Sequence, residues 1–168
     1  MLYRTQPSDT EKMPSGIPYI ISNEAAERFS FYGMKAALAI FLANYLGVLG
    51  GESMSEAKAT AYVSFFNSAV YLTPLFGALI ADIFFGKYRT IVTLSIVYCL
   101  GHLALAFMGM GGMVQFWLLA GLGLISIGAG GIKPCVSAHV GDQFGKNNQH
   151  LITKTFNLFY LSINFGAV

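Results

Sequence analysis

The chain has 168 residues, of which 55% are hydrophobic and 11% charged, and its formal net charge is +2. A soluble domain carries about 25% charge, so too few charges are present to cover a water-facing surface, and the same numbers exclude a disordered chain. The net charge is too small and too scattered for a nucleic-acid footprint, which leaves an all-α integral membrane protein.

Residues 1–16 are polar and read as a segment outside the membrane. The first apolar stretch, 17–47, holds Glu24, Glu27 and Arg28 and is too long for a signal-peptide core, so it reads as a helix. Stretches of spanning length follow at 57–83, 88–110 and 114–140. A fifth begins near 151 and stops at 168 with no polar tail, as expected of a piece of a longer protein. The connections are brief, so consecutive helices should run antiparallel. Arg4 and Lys12, Lys87 and Arg89, and Lys146 and Lys154 fall on one side of this arrangement. Lys58 stands alone on the other, which predicts a cytoplasmic N-terminus.

An ionisable side chain inside a span costs several kcal/mol and marks a functional site by default. The first span holds Glu24, Glu27, Arg28 and Lys35. At about 100° per residue, and with Glu24 at zero, Glu27 falls near about −60°, Arg28 near about +40°, Lys35 near about +20° and Tyr32 near about +80°. All five share one face, which cannot point at lipid. Glu24 and Arg28 stand four apart, the spacing of an intrahelical ion pair. A carboxylate beside a cation stays ionised, and separating the two favours protonation, which is the coupling that a proton-driven machine needs. A static network that fixes helix register is the plainer account, but five polar groups exceed what register needs.

Lys133 lies in Gly128-Ala129-Gly130-Gly131-Ile132-Lys133-Pro134. The glycines allow close helix approach, and the proline removes a backbone donor and can kink the helix. A buried lysine keeps its charge only with a partner; the plainer account is a helix-end lysine reaching the interface. Asp82 should end the second helix, with Lys87 and Arg89 in a tight loop after it, where a carboxylate can meet a helix start or a basic residue. A positive-inside anchor also accounts for that loop. Asn164 fits an interhelical hydrogen bond. Cys99 and Cys135 read as two buried structural thiols, and His102 as a structural histidine. His139 and His150 have no partners in metal-ligand spacing, and no nucleophile–base pair or phosphate loop points to an enzyme.

Four motifs carry a resemblance. Glu24-Ala-Ala-Glu-Arg-Phe-Ser-Phe-Tyr32-Gly-Met-Lys35 resembles the ExxER motif of the proton-dependent oligopeptide transporter family. Gly77-Ala-Leu-Ile-Ala-Asp82-Ile-Phe-Phe-Gly86-Lys87-Tyr-Arg89-Thr-Ile resembles its form of the major facilitator loop between helices two and three. Gly130-Gly-Ile-Lys133-Pro-Cys-Val-Ser-Ala-His-Val-Gly141-Asp142-Gln143-Phe144 is similar to its helix-four signature, and Phe159-Tyr160-Leu-Ser-Ile-Asn164-Phe-Gly166 to its helix-five signature. Their order matches as well.

The resemblance implies a major facilitator fold of two six-helix bundles with substrate bound between them at mid-membrane. Residues 17–168 would be a partial N-terminal bundle, about four complete spans plus a truncated fifth, with the C-terminal bundle absent. It implies proton-coupled symport of di- and tripeptides by alternating access, with protons as the coupling ion and no cofactor. Proton coupling would fall to Glu24, Glu27, Arg28 and Lys133, with Glu24 and Lys133 as a pair. Tyr32, Lys35, Tyr71, Lys133 and Asn164 would contact peptide, and Asp82, Lys87 and Arg89 would form the conformational loop. Lys35 stands where the family usually has arginine, which keeps the charge and loses the bidentate fork. Ser64 stands where animal members carry a histidine, which puts more weight on Glu24, Glu27 and Lys133. The implied partners are the peptide, membrane lipid and the second bundle, in a bacterial inner or plasma membrane. Another family substrate (nitrate, another anion or a peptide-like drug) and a truncated, non-transporting membrane fragment are the alternatives. The ExxER motif argues against the nitrate branch.

Overall fold

The computed structural model describes residues 6, 7 and 9–167. Arg4, counted above among the basic residues ahead of the first span, lies outside the described residues. Among those described, α1 covers Ile17–Asn44, α2 Glu56–Ile80, α3 Lys87–Ala106, α4 Val114–Gly141 and α5 Ile152–Gly166. Among the described residues, three stretches are long and apolar enough, by length and composition, to cross a membrane: Glu56–Phe85, Lys87–Gly109 and Val114–Gly141. α1 has the length, yet every 18-residue stretch of it holds at least three of Glu24, Glu27, Arg28 and Lys35. α5 has 15 residues, short of the roughly 20 that a span needs.

The helix ends follow local chemistry. α1 stops at Asn44, before the expected 47, and a short 3-10 turn, Gly47–Leu49, leads to Gly50 at φ 86°. Ser55 caps α2, its hydroxyl oxygen accepting from the Lys58 N–H at 3.3 Å. The end of α2 departs from expectation. The chain passes from Ile80 into a wider π turn, Ala81–Phe85, so Asp82 lies inside the helical run and does not end it. Gly86 alone connects to α3, with φ 75° and ψ 155°, a backbone region that glycine enters freely and that costs other residues about 1–3 kcal/mol. Lys87 and Arg89 accordingly sit in the first turn of α3, with no tight loop to carry them. α4 continues through Pro134 without a break.

The chain divides into two compact units, Met34–Cys135 and Met1–Gly33 with Val136–Val168. In the first, α4 presents small residues to two neighbours. Toward α2, Gly131 approaches Gly77 so closely that no side-chain carbon fits on Gly77. Beside that crossing the Thr73 hydroxyl donates to the Ser126 carbonyl at 2.9 Å. Toward α3, a Cβ on Gly128 would lie 2.7 Å from the Tyr98 Cβ. Glycine here lets backbones touch, the usual source of helix affinity where lipid removes the hydrophobic drive. Cys135 is buried, 3.7 Å from the Gly77 carbonyl. Cys99 is exposed, which corrects the expectation of two buried thiols. It lies on the same outer side of α3 as Ile96, Leu100 and Leu103, which are exposed as well. The His102 ring packs edge-on to Tyr98 at 4.7 Å, within the helix.

The other unit holds the N-terminal segment against the connection between α4 and α5. Asn148, fully buried, accepts from the Gly145 N–H at 2.8 Å and donates to the Lys12 carbonyl at 3.3 Å. Asn147 donates to Asp9 at 2.6 Å, and the buried Thr155 hydroxyl meets the Met13 sulfur at 3.1 Å. Asn148→Ala leaves the Gly145 N–H without its acceptor and releases Lys12. A cost of about 1–3 kcal/mol is expected, read as a lower Tm and as faster tryptic cleavage after Lys12. Unchanged cleavage would mean that the segment is held by other contacts.

Candidate functional site

In the unit that contains the start of α1, the predicted charge cluster forms within the helix itself. Arg28 Nε donates to Glu24 Oε1 at 2.7 Å, and Arg28 Nη2 lies 2.6 Å from the same oxygen. Arg28 Nε also stands 3.4 Å from Glu27 Oε2. Glu24 is 2% exposed and Arg28 8%. One guanidinium therefore faces two carboxylates in a region almost without water. The spacing explains the first contact, since residues four apart stack on one face. The second joins neighbours in sequence and needs the arginine side chain to fold back. Such a pair is poor evidence of stability, because desolvation offsets much of the attraction, but removing one partner costs about 3–5 kcal/mol.

Tyr32 is half-buried one turn further on, its ring edge-on to Phe31 at 5.5 Å. Asn164 lies on α5 with its side chain exposed, and its carbonyl accepts from the Ala167 N–H at 3.1 Å. The buried face of α5 is made instead by Thr155, Phe159, Ser162 and Gly166. The Asn164 amide is therefore turned away from that face.

The second unit carries the remaining predicted residues. Lys133 Nζ stands 5.5 Å from the centre of the Tyr71 ring, a cation–π contact between α4 and α2. Lys133 is half-buried and Tyr71 is 76% exposed, so one face of the ring holds the ammonium while the rest stays open. Lys35 is half-buried near the middle of α1. Asp82 and Arg89 are exposed and Lys87 is half-buried, around the Gly86 connection. Ser64 is exposed, and its carbonyl accepts from the Ser68 hydroxyl at 3.0 Å. The Tyr71–Lys133 contact was not expected: a period gives the face of one helix, not which face meets it. The neighbouring Gly130-Gly131 pair was the available signal that α4 meets another backbone there.

Residues 88–168 match the POT family, PTR2. The structure is similar to the crystal structure of the POT family transporter PepTSo, with a TM-score of 0.80 and 48% identity over 93% of this chain and 30% of that one. The chain belongs to the POT family. Its α4 and α5 motifs lie inside the matched residues and the Glu24–Lys35 motif lies ahead of them. Solute carrier family 15 member 2 of Danio rerio, similar to this POT family chain, is 45% identical over 160 residues, 92% of this chain and 21% of the relative. Peptide transporter family 1 of Drosophila melanogaster is 46% identical over 159 residues, with the same two shares covered. The POT family chain thus spans about a fifth of the length of these curated relatives.

Proposed function

We propose that the chain is the N-terminal part of a proton-coupled symporter that carries di- and tripeptides inward by alternating access. The observation that carries this reading is the buried Glu24–Arg28–Glu27 cluster in a chain whose relatives include a peptide transporter. A peptide is a zwitterion, so its site needs fixed charges of both signs, and Lys35 and Lys133 supply the positive ones. Lys133, Lys35, Tyr32, Tyr71 and Asn164 are the proposed substrate contacts. Glu24, Glu27, Arg28 and Lys133 are the proposed coupling groups. Proton entry neutralises a carboxylate, frees Arg28 from it and shifts the balance between two helix arrangements. Asp82, Lys87 and Arg89, around a single-residue connection, form a contact that one arrangement holds and the other breaks.

In this reading no bond is made or broken in the substrate, the proton is the coupling ion and no cofactor takes part. A second helix bundle of the same polypeptide supplies the rest of the site. The bias of basic residues supports a cytoplasmic N-terminus in this reading, in an inner or plasma membrane. The test is uptake of labelled dialanine into liposomes containing the full-length protein, with and without an inward proton gradient. Accumulation that requires the gradient is expected. No uptake by well-folded protein in either condition would move the reading to another substrate of the family.

A further inference from the structure

We infer that Gly166 is a positioning residue for Arg28, seating α5 directly on the turn of α1 that carries the charge cluster. A Cβ at Gly166 would stand 2.7 Å from the Ala25 carbonyl oxygen, 2.7 Å from the Arg28 Cβ and 3.0 Å from the Phe29 nitrogen. Two of these three atoms are backbone, which cannot turn aside as a flexible side-chain tip does. The third is the root of the Arg28 side chain, and its place sets where the guanidinium stands. That guanidinium works at close tolerance, with two contacts to one Glu24 oxygen at 2.6 and 2.7 Å and one to Glu27 at 3.4 Å. Displacing the Arg28 Cβ by a few tenths of an ångström would alter all three.

The same helix carries Asn164 two positions earlier, about 200° around the axis from Gly166. Asn164 is exposed and Gly166 buried. α5 therefore bears a proposed peptide contact on one face and its seat against Arg28 on the other. A shift of α5 when peptide engages Asn164 passes through the Gly166 contact to Arg28, and so to the carboxylates it holds. This relay rests on the transport reading above.

The experiment uses Gly166→Ala in the full-length protein, with Gly123→Ala as control, because a Cβ at Gly123 meets nothing within 4 Å. Gradient-driven dialanine uptake by Gly166→Ala should fall about tenfold, in line with an overpacked contact. Exchange between two filled compartments at equal pH should stay within about twofold of the parent, and Gly123→Ala should match the parent in both. Equal loss of both modes from well-folded protein, or no loss, would overturn the positioning role. A second measurement needs no transport: the Tm of Gly166→Ala, Glu24→Gln and the double variant. Losses that do not add are expected, since both changes disturb one arginine, and additive losses would overturn the inference. If the parent does not move dialanine, the transport reading falls and this cycle alone decides. If Gly166→Ala does not reach the membrane, the same Tm cycle is run on protein synthesised directly into detergent micelles, and its additivity decides.

Discussion

Lys133→Ala in the full-length protein is expected to abolish gradient-driven peptide accumulation, with the initial rate down by about a hundredfold or more. Lys133 lies eight residues before Gly141, the end of α4. That is about 12 Å along the axis, more than a lysine stem spans, so interface snorkelling does not account for this charge. The Tyr71 ring at 5.5 Å supplies about 2 kcal/mol when desolvated. The cost of bringing an ammonium out of water is several kcal/mol, so the ring offsets only part of it. Under the proposed transport reading, the peptide carboxylate and the coupling carboxylates contribute to the remainder. Removing the lysine leaves those carboxylates uncompensated, which costs about 3–5 kcal/mol. Tyr71→Phe keeps the π face and should stay within about threefold of the parent, whereas Tyr71→Leu removes it and should cost more. Lys133→Ala taking up dialanine at the parental rate under the same gradient would end the coupling role.

What the sequence made legible depends on the range of each interaction. The helices were readable because lipid demands long apolar runs, while the ends at Ser55 and Gly86 emerge only from the folded backbone. The Glu24–Arg28 contact was readable because it is set by the pitch of one helix. The role of Asp82 as a helix end was misjudged, because nothing in the composition of Ala81–Phe85 signals a π turn that carries α2 on to Gly86. Cys99 was misjudged for another reason: in an apolar helix the inner and outer faces have nearly the same composition, and α3 has no polar stripe to tell them apart. Contacts between helices were the least legible. Gly77 against Gly131, Thr73 on Ser126 and Gly166 on Arg28 each join residues far apart in sequence, and only the assembled backbone pairs them. The residue types gave a hint, since small residues in apolar helices favour close approach, but not the partner.

Glu27→Gln should leave exchange of peptide between two filled compartments within about twofold of the parent while removing accumulation against a gradient. Glutamine has the shape of a protonated glutamate and keeps a carbonyl oxygen where Arg28 Nε now meets Glu27 Oε2 at 3.4 Å. It cannot gain or lose a proton. Exchange needs only that the loaded transporter reorient, and a permanently neutral side chain permits that. Net accumulation needs the empty transporter to return after releasing its proton, and glutamine has none to release. Glu24→Gln makes the useful contrast. Glu24 takes both short contacts from Arg28 and is the more deeply buried carboxylate, with 2% of its side chain exposed against 9% for Glu27. Losing its charge weakens a pair that helps hold α1 as well as any coupling step. The Tm should therefore fall further for Glu24→Gln than for Glu27→Gln, although each substitution removes one carboxylate charge. If Glu27→Gln lost exchange and accumulation together, with a Tm as low as that of Glu24→Gln, Glu27 would be a structural partner of Arg28 and the proton would have to be carried elsewhere.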